Sequence, residues 1–247
     1  MDWDIFWLRA RKLTAVAAHP FRYAAFFRHG VAPAIEHSAV LRDLNFDFVV
    51  DVGANRGQFS LVCRSVRPAA RIVAFEPLAE PARIYRAVFD GDSRVRLHGC
   101  ALAPLRGEMT INISGRDDSS SLLPISKAQI DNFPGTEKIA ARSVITGPLP
   151  DFVQPSDLGE ANLLKIDVQG FELEVLKSAE TLLARFRWIY VECSFVPLYE
   201  GQALAGEIMA WLAARGFRLA GRFNPSHARI NGGLLQADLL FQNSESR

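Results

Sequence analysis

An apolar run that stops at an acid and then meets two glycines, Phe46-Asp-Phe-Val-Val-Asp-Val-Gly-Ala-Asn-Arg-Gly-Gln-Phe-Ser60, constrains the fold more than any other stretch. Phe48, Val49, Val50 and Val52 predict a parallel strand covered on both faces, because branched and aromatic side chains pack well on a pleated surface. Gly53 can take a positive φ at the turn, and Gly57 lets the next helix, opened by Gln58 and Phe59, press close to the cofactor expected at its N-terminus. Free backbone N–H groups are then expected to point into the crevice at the strand's carboxyl end, where open α/β sheets bind ligands. The stretch reads as a nucleotide-type cofactor site.

The spacing bears on which cofactor. A dinucleotide fingerprint is G-x-G-x-x-G, whereas Asn55 replaces the second glycine in Gly53-Ala-Asn-Arg-Gly57. A pyrophosphate needs close backbone approach at that position, and Asp51 would repel it while attracting an ammonium. S-adenosylmethionine carries an ammonium, a carboxylate and a sulfonium and no phosphate, so it is the expected ligand. Arg71-Ile-Val-Ala-Phe-Glu76-Pro77 is a second short strand whose terminal acid can accept hydrogen bonds from both ribose hydroxyls. The same acid could instead cap the following helix.

With 247 residues, 49% of them hydrophobic, the chain can bury the core of one α/β domain. A formal charge of +1 gives no hint of nucleic-acid binding. Cys63, Cys100 and Cys193 lie far apart, which argues against disulfides and a cysteine zinc site and for a reducing cytoplasm. No apolar run is long enough to span a membrane. Trp3, Phe6, Trp7, Ala10, Leu13 and Ala17 form a helical stripe beside Arg9, Arg11 and Lys12, expected either to dock on the domain or to lie in a membrane interface. His19-Pro20 is expected to end that helix. Residues 1–36 are thus read as a helical extension and 37–247 as the enzyme domain, with Val31 to Leu41 leading into the first strand and bringing Glu36 and His37 near the cofactor.

Arg94 to Leu102 reads as a third strand, whose end at Cys100 and Ala101 leaves room for an adenine ring. From 103 to 160 the βα rhythm is lost, and this excursion is expected to form a lid that selects substrate. It returns with Ala161-Asn-Leu-Leu-Lys-Ile-Asp-Val-Gln-Gly-Phe-Glu, a strand placing Lys165 and Asp167 on one face. A helix Phe171 to Ala184 follows, and then a fifth strand ending at Glu192. A helix from Leu204 to Arg215 leads into two closing strands, Gly216 to Gly221 and Leu234 to Phe241.

Together these residues resemble the FkbM-type methyltransferases. The likeness runs through Asp51-Val-Gly-Ala-Asn-Arg-Gly-Gln-Phe-Ser, Phe75-Glu-Pro, Ser119-Ser-Ser-Leu-Leu, Leu164-Lys-Ile-Asp-Val-Gln-Gly-Phe-Glu, Glu192-Cys-Ser-Phe, Leu198-Tyr-Glu-Gly-Gln and Gln236-Ala-Asp-Leu-Leu-Phe. Where the family often has Thr-Leu-Asp-Asp, this chain has Thr146-Gly-Pro-Leu-Pro-Asp. The resemblance implies a seven-stranded class I methyltransferase (Rossmann-like) α/β sheet, mostly parallel with an antiparallel C-terminal hairpin and helices on both faces. It implies S-adenosylmethionine-dependent methylation of a hydroxyl, on a small molecule or a sugar of a glycolipid, oligosaccharide or polysaccharide. Asp167 and Glu192 are the candidate bases and Lys165 a group to hold or tune one of them, with no metal cluster in the sequence. An NAD-dependent sugar oxidoreductase or epimerase is the main alternative, although none of the four tyrosines heads a Tyr-x-x-x-Lys pair. A non-catalytic, cofactor-bound partner of a glycosyltransferase is the other.

Overall fold

The computed structural model describes residues 20–228 and 232–244. The strands are β1 (Phe48–Val52), β2 (Arg71–Phe75), β3 (Val95–His98), β4 (Ala101–Leu102), β5 (Gly107–Ser114), β6 (Lys138–Gly147), β7 (Asn162–Ile166), β8 (Phe186–Ser194), β9 (Phe217–His227) and β10 (Leu234–Asn243). The helices are α1 (Pro20–His29), α2 (Ser38–Asp43), α3 (Gln58–Val66), α4 (Ala79–Val88), α5 (Lys127–Asn132), α6 (Glu172–Ser178) and α7 (Ala205–Ala213). Seven strands form one sheet in the order β3-β2-β1-β7-β8-β10-β9. The pairs from β3 to β8 are parallel, while β10 runs antiparallel to both β8 and β9.

The expected mostly parallel sheet with its closing hairpin is therefore present, and alternation of side chains explains why it is covered on both faces. Phe48, Val50 and Val52 join a core with Val175 and Leu176 of α6 and Ile208 and Leu212 of α7, whereas Val49 packs with Val62 and Cys63 of α3 and Leu41 of α2. All five β1 residues are buried. Each large apolar side chain so placed contributes about 1.5 to 3 kcal/mol relative to exposure, so the central strands fix the frame on which the strand ends are displayed.

Local departures from the sequence reading have local causes. The expected third strand breaks at Gly99-Cys100: β3 ends at His98, and β4 pairs with Thr146 and Gly147 of β6 instead. Between Glu36 and β1 the chain makes a 3-10 turn, Ile35–His37, and then α2 rather than running straight in. The helix expected over Phe171 to Ala184 is α6 followed by a 3-10 segment, Glu180–Arg185. Residues 103–160 contain β5, α5 and β6, and β5 and β6 form a second, three-stranded sheet with β4. The aromatic stripe at residues 3–17 lies outside the described residues, and Pro20 is already helical. Among the described residues no helix is long and apolar enough to cross a membrane.

Candidate active site

The turn after β1 is built by three residues with positive φ. Gly53 has φ +75°, and a Cβ there would overlap the carbonyl oxygen of Asp167, so the ends of β1 and β7 meet only because this position carries no side chain. Asn55 sits at φ 47°, a region its short polar side chain tolerates. Gly57 has φ +98°, and a Cβ there would come 2.7 Å from the Phe89 ring, so Gly57 serves the packing of α3 on the Tyr85–Phe89 pair rather than the cleft.

The expected row of free amides is not there. Gly53 and Ala54 donate to the Phe75 carbonyl (3.1 and 3.0 Å) and Gly57 donates to Ala54 (2.9 Å). Asn55 donates to Glu76 Oε2 (2.9 Å) and Arg56 to Gln58 Oε1 (3.1 Å). The turn closes on itself because a buried N–H left unpaired costs about 1 to 3 kcal/mol, and the end of β2 supplies acceptors. A pyrophosphate finds no free backbone amide between residues 53 and 57, which favours a ligand without phosphate.

Beyond the strand ends lies a cleft of about 350 Å³. Gly53, Asn55, Gln58, Phe59, Glu76, Pro77, Cys100, Ala101, Lys165 and Asp167 all line it, as do Glu36 and His37, while Asp51, Gly57 and Glu192 do not. Glu76 is 6% exposed, and its Oε1 accepts the Leu78 amide (2.8 Å) while Oε2 accepts Asn55. The capping and ribose readings are thus compatible, since each carboxylate oxygen keeps a further lone pair. Burial pushes the Glu76 carboxyl up to about 7, against the pull of those two amides. Phe75, Cys100, Ala101, Leu102, Phe171 and Val175 give the cleft an apolar flank suited to a flat heterocycle. Burial raises the Cys100 thiol to about 11, so it stays neutral there. Asn55 Oδ1 is buried on the wall without a hydrogen-bond partner among the described residues, so it can take a donor from a ligand.

The acids have distinct environments. Asp51 is fully buried, accepts from Ser60 Oγ (2.7 Å) and pairs with Lys165 Nζ at 3.2 Å, so its charge is spent inside the protein rather than on a ligand's ammonium. Lys165 also donates to the Gly53 carbonyl (3.0 Å) and lies 3.9 Å from Asp167 Oδ2. Burial would lower its pKa, but Asp51 and then Asp167 outweigh it and the net shift is upward. Asp167 has a side chain 39% exposed, and its Oδ1 accepts from Gln169 Nε2 (2.8 Å). Glu192 Oε2 is held by Gln169 (2.9 Å) and Gln236 (3.0 Å), and burial first, then Asp167, Asp238 and Glu172, drive its carboxyl well up.

Gln169 is the residue sequence reading missed. At φ 57° it bridges Asp167 and Glu192, and its carbonyl accepts from Ser121 Oγ (2.6 Å). Tyr199 Oη lies 2.9 Å from its Oε1 and 3.0 Å from the Ser119 carbonyl. The Gln-Gly pair immediately before a helix was the available signal, since glycine at 170 lets Tyr199 pack against the backbone. Residues 111 to 122 close the cleft with Ile111, Asp117, Asp118, Ser120, Ser121 and Leu122, and Asp117 pairs with Arg56 beside the turn at 2.6 Å.

A family model described as the methyltransferase FkbM domain matches residues 51–219. The chain belongs to the FkbM methyltransferase family. It is 28% identical over 181 residues to the 2-O-methyltransferase NoeI of Sinorhizobium fredii, covering 71% of this chain and 74% of that one. It is 30% identical over 196 residues to the methyltransferase sdnD of Sordaria araneosa, covering 69% and 73%. It is also 30% identical over 149 residues to the hexuronic acid methyltransferase AglP of Haloferax volcanii, covering 59% and 55%. This FkbM-type chain is an S-adenosylmethionine-dependent methyltransferase, and the chemistry of its cleft fits that donor: a carboxylate that can accept from ribose, an apolar flank that can take adenine and no row of free backbone amides for a phosphate.

Glu76 gives a pH prediction. Above about 7 its carboxyl is ionised and accepts hydroxyl protons with full charge, whereas below that value the protonated form has lost the charge. Affinity for S-adenosylhomocysteine should therefore strengthen several-fold as pH rises through 7, because charge-assisted bonds are roughly twice as strong as neutral ones. Calorimetry on wild type and Glu76→Gln checks this, the variant being expected to show a flatter profile.

Proposed function

We propose that this methyltransferase acts on a sugar hydroxyl of a glycolipid, oligosaccharide or polysaccharide. The observation that carries the reading is the polarity of the cleft wall that Asp167 shares: Asp117, Asp118, Ser120 and Ser121 bring carboxylates and hydroxyls suited to a polyhydroxylated acceptor. The names of NoeI and AglP, a 2-O-methyltransferase and a hexuronic acid methyltransferase, support it.

When bound, S-adenosylmethionine supplies a methyl group already activated on sulfur. The protein's task is then to place an oxygen in line and remove its proton, and positioning carries most of the rate. Glu76 holds the ribose, Cys100 and Ala101 flank the adenine, and Asp167 orients the acceptor hydroxyl. Lys165 fixes the Asp167 region and the Gly53 carbonyl together, while Glu192 steadies Gln169 from behind. The segment 103–160 acts as the lid that shapes the acceptor end, tied down by Arg56–Asp117 and Ser121–Gln169.

Incubation with methyl-tritiated S-adenosylmethionine and a panel of methyl glycosides and chitooligosaccharides tests the reading. Label should appear in an O-methyl group of at least one glycan. Transfer confined to hydroxylated compounds that are not sugars would contradict it.

A further inference from the structure

A hydroxyl must lose its proton as it takes the methyl, and both acids near the acceptor end already share their oxygens with neighbouring groups. Asp167 has Gln169 on Oδ1 and Lys165 near Oδ2, and Glu192, held by Gln169 and Gln236, does not line the cleft. His37, carried by the 3-10 turn before α2, also lines the cleft. Its Nδ1 is 3.1 Å from Tyr190 Oη, 3.2 Å from Asn224 Nδ2 and 3.5 Å from Asp238 Oδ2. Tyr190 gives its only proton to Asp238 Oδ2 (3.0 Å), and Asn224 donates to the same oxygen (2.7 Å).

One arrangement of donors satisfies every group around the ring. A carboxylate only accepts, and the Tyr190 proton is committed to it, so the tyrosine oxygen offers His37 a lone pair. With the two Asn224 amide protons on Asp238 Oδ2 (2.7 Å) and Tyr190 Oη (3.3 Å) rather than on His37 Nδ1 at 3.2 Å, Nδ1 carries the ring proton to the Tyr190 oxygen and the Nε2 lone pair is unshared. Every hydrogen-bond contact of the ring among the described residues runs through Nδ1. Phe59 and Tyr190 pack edge-on to the imidazole, with centroids 5.3 and 5.6 Å away, and fix its plane.

We infer that His37 is the general base of the transfer, with Tyr190 and Asp238 as positioning residues that hold Nδ1–H and leave Nε2 to take the acceptor's proton. The inference rests on the sugar-hydroxyl reading above. As the acceptor oxygen forms its O–CH₃ bond, the S–CH₃ bond breaks with its electron pair left on sulfur, and the hydroxyl proton passes to Nε2. The imidazolium is offset by Asp238 and returns the proton to solvent after product leaves. Asp238 is suited to this: burial pushes its carboxyl up, and positive charge on His37 pulls it back.

Imidazole nitrogen-proton correlation spectra of the full chain read the ring without any acceptor, the His37 signal being identified by its absence in His37→Gln. His37 should be the Nδ1–H tautomer, turning over to Nε2–H in Tyr190→Phe. A wild-type Nε2–H tautomer overturns the inference. In single-turnover transfer to a glycoside that is methylated, His37→Ala should be slower by at least ~10²-fold, recover about tenfold with added imidazole and keep S-adenosylhomocysteine affinity within about threefold. An unchanged rate, or a loss that imidazole does not rescue, also overturns it. If no glycoside is methylated, the sugar reading fails, and the tautomer still decides whether the ring is set up as a base.

Discussion

Asp51→Asn is expected to lower the unfolding free energy by about 3 to 5 kcal/mol, the usual consequence of breaking a buried ion pair from one side. For a chain of this length that is a fall of roughly 10 °C in melting temperature. Asp51 is fully buried in β1, with Lys165 directly opposite in β7 and its Nζ 3.2 Å from Oδ1. Ser60 donates to the other oxygen, and Tyr85 Oη donates in turn to Ser60 Oγ (2.9 Å). Neutralising the acid leaves the ammonium with two carbonyls and Asp167 at 3.9 Å. The effect should reach the cofactor, because Lys165 grips the Gly53 carbonyl and so helps to set the turn that puts the Asn55 amide on Glu76. Thermal and urea unfolding of the variant, run beside S-adenosylhomocysteine titration, checks both parts. A melting temperature unchanged within a degree or two would mean that the pair is dispensable.

Asp167→Asn should behave in the opposite way, leaving the fold nearly intact while lowering kcat by at least ~10²-fold through lost orientation of the acceptor. Its side chain is partly exposed and is the more distant of the two acids around Lys165, 3.9 Å against 3.2 Å for Asp51. Removing its charge therefore does not strand the lysine. A structural account in which Asp167 mainly neutralises Lys165 requires a large drop in stability instead. Melting curves and single-turnover transfer to an accepted glycoside, measured on the same preparation, separate the two. A normal rate at saturating donor would remove Asp167 from the chemistry.

The frame of this fold was legible because its signals are local. A buried five-residue strand, a glycine at the turn and an acid at the end of the next strand are adjacent in sequence, and the closing hairpin follows from two alternating strands and a turn-rich loop. The site's internal wiring was less legible because it depends on register. Asp51 and Lys165 are 114 positions apart and meet only through the pairing of β1 with β7, so the sequence suggested Asp167 as the natural partner of Lys165. Likewise, spacing cannot show that the turn's amides are consumed by Phe75 and Glu76, and a helix-opening glycine looks the same whether it faces a ligand or, as Gly57 does, an aromatic pair. Gln169 escaped notice because its importance lies in a left-handed backbone conformation that lets one amide touch two acids. The break at Gly99 was hidden because β4 finds its partner in β6, some forty residues downstream.

The central claim is that one cleft holds S-adenosylmethionine with its ribose on Glu76, and parallel calorimetric titrations of wild type and Glu76→Ala with S-adenosylhomocysteine and NAD test it most directly. Wild type should bind S-adenosylhomocysteine and not NAD, and the variant should bind it roughly 5- to 100-fold more weakly, matching the ~1 to 3 kcal/mol of the charge-assisted bonds removed. An unchanged dissociation constant in a folded variant, or tight binding of NAD, would contradict the account.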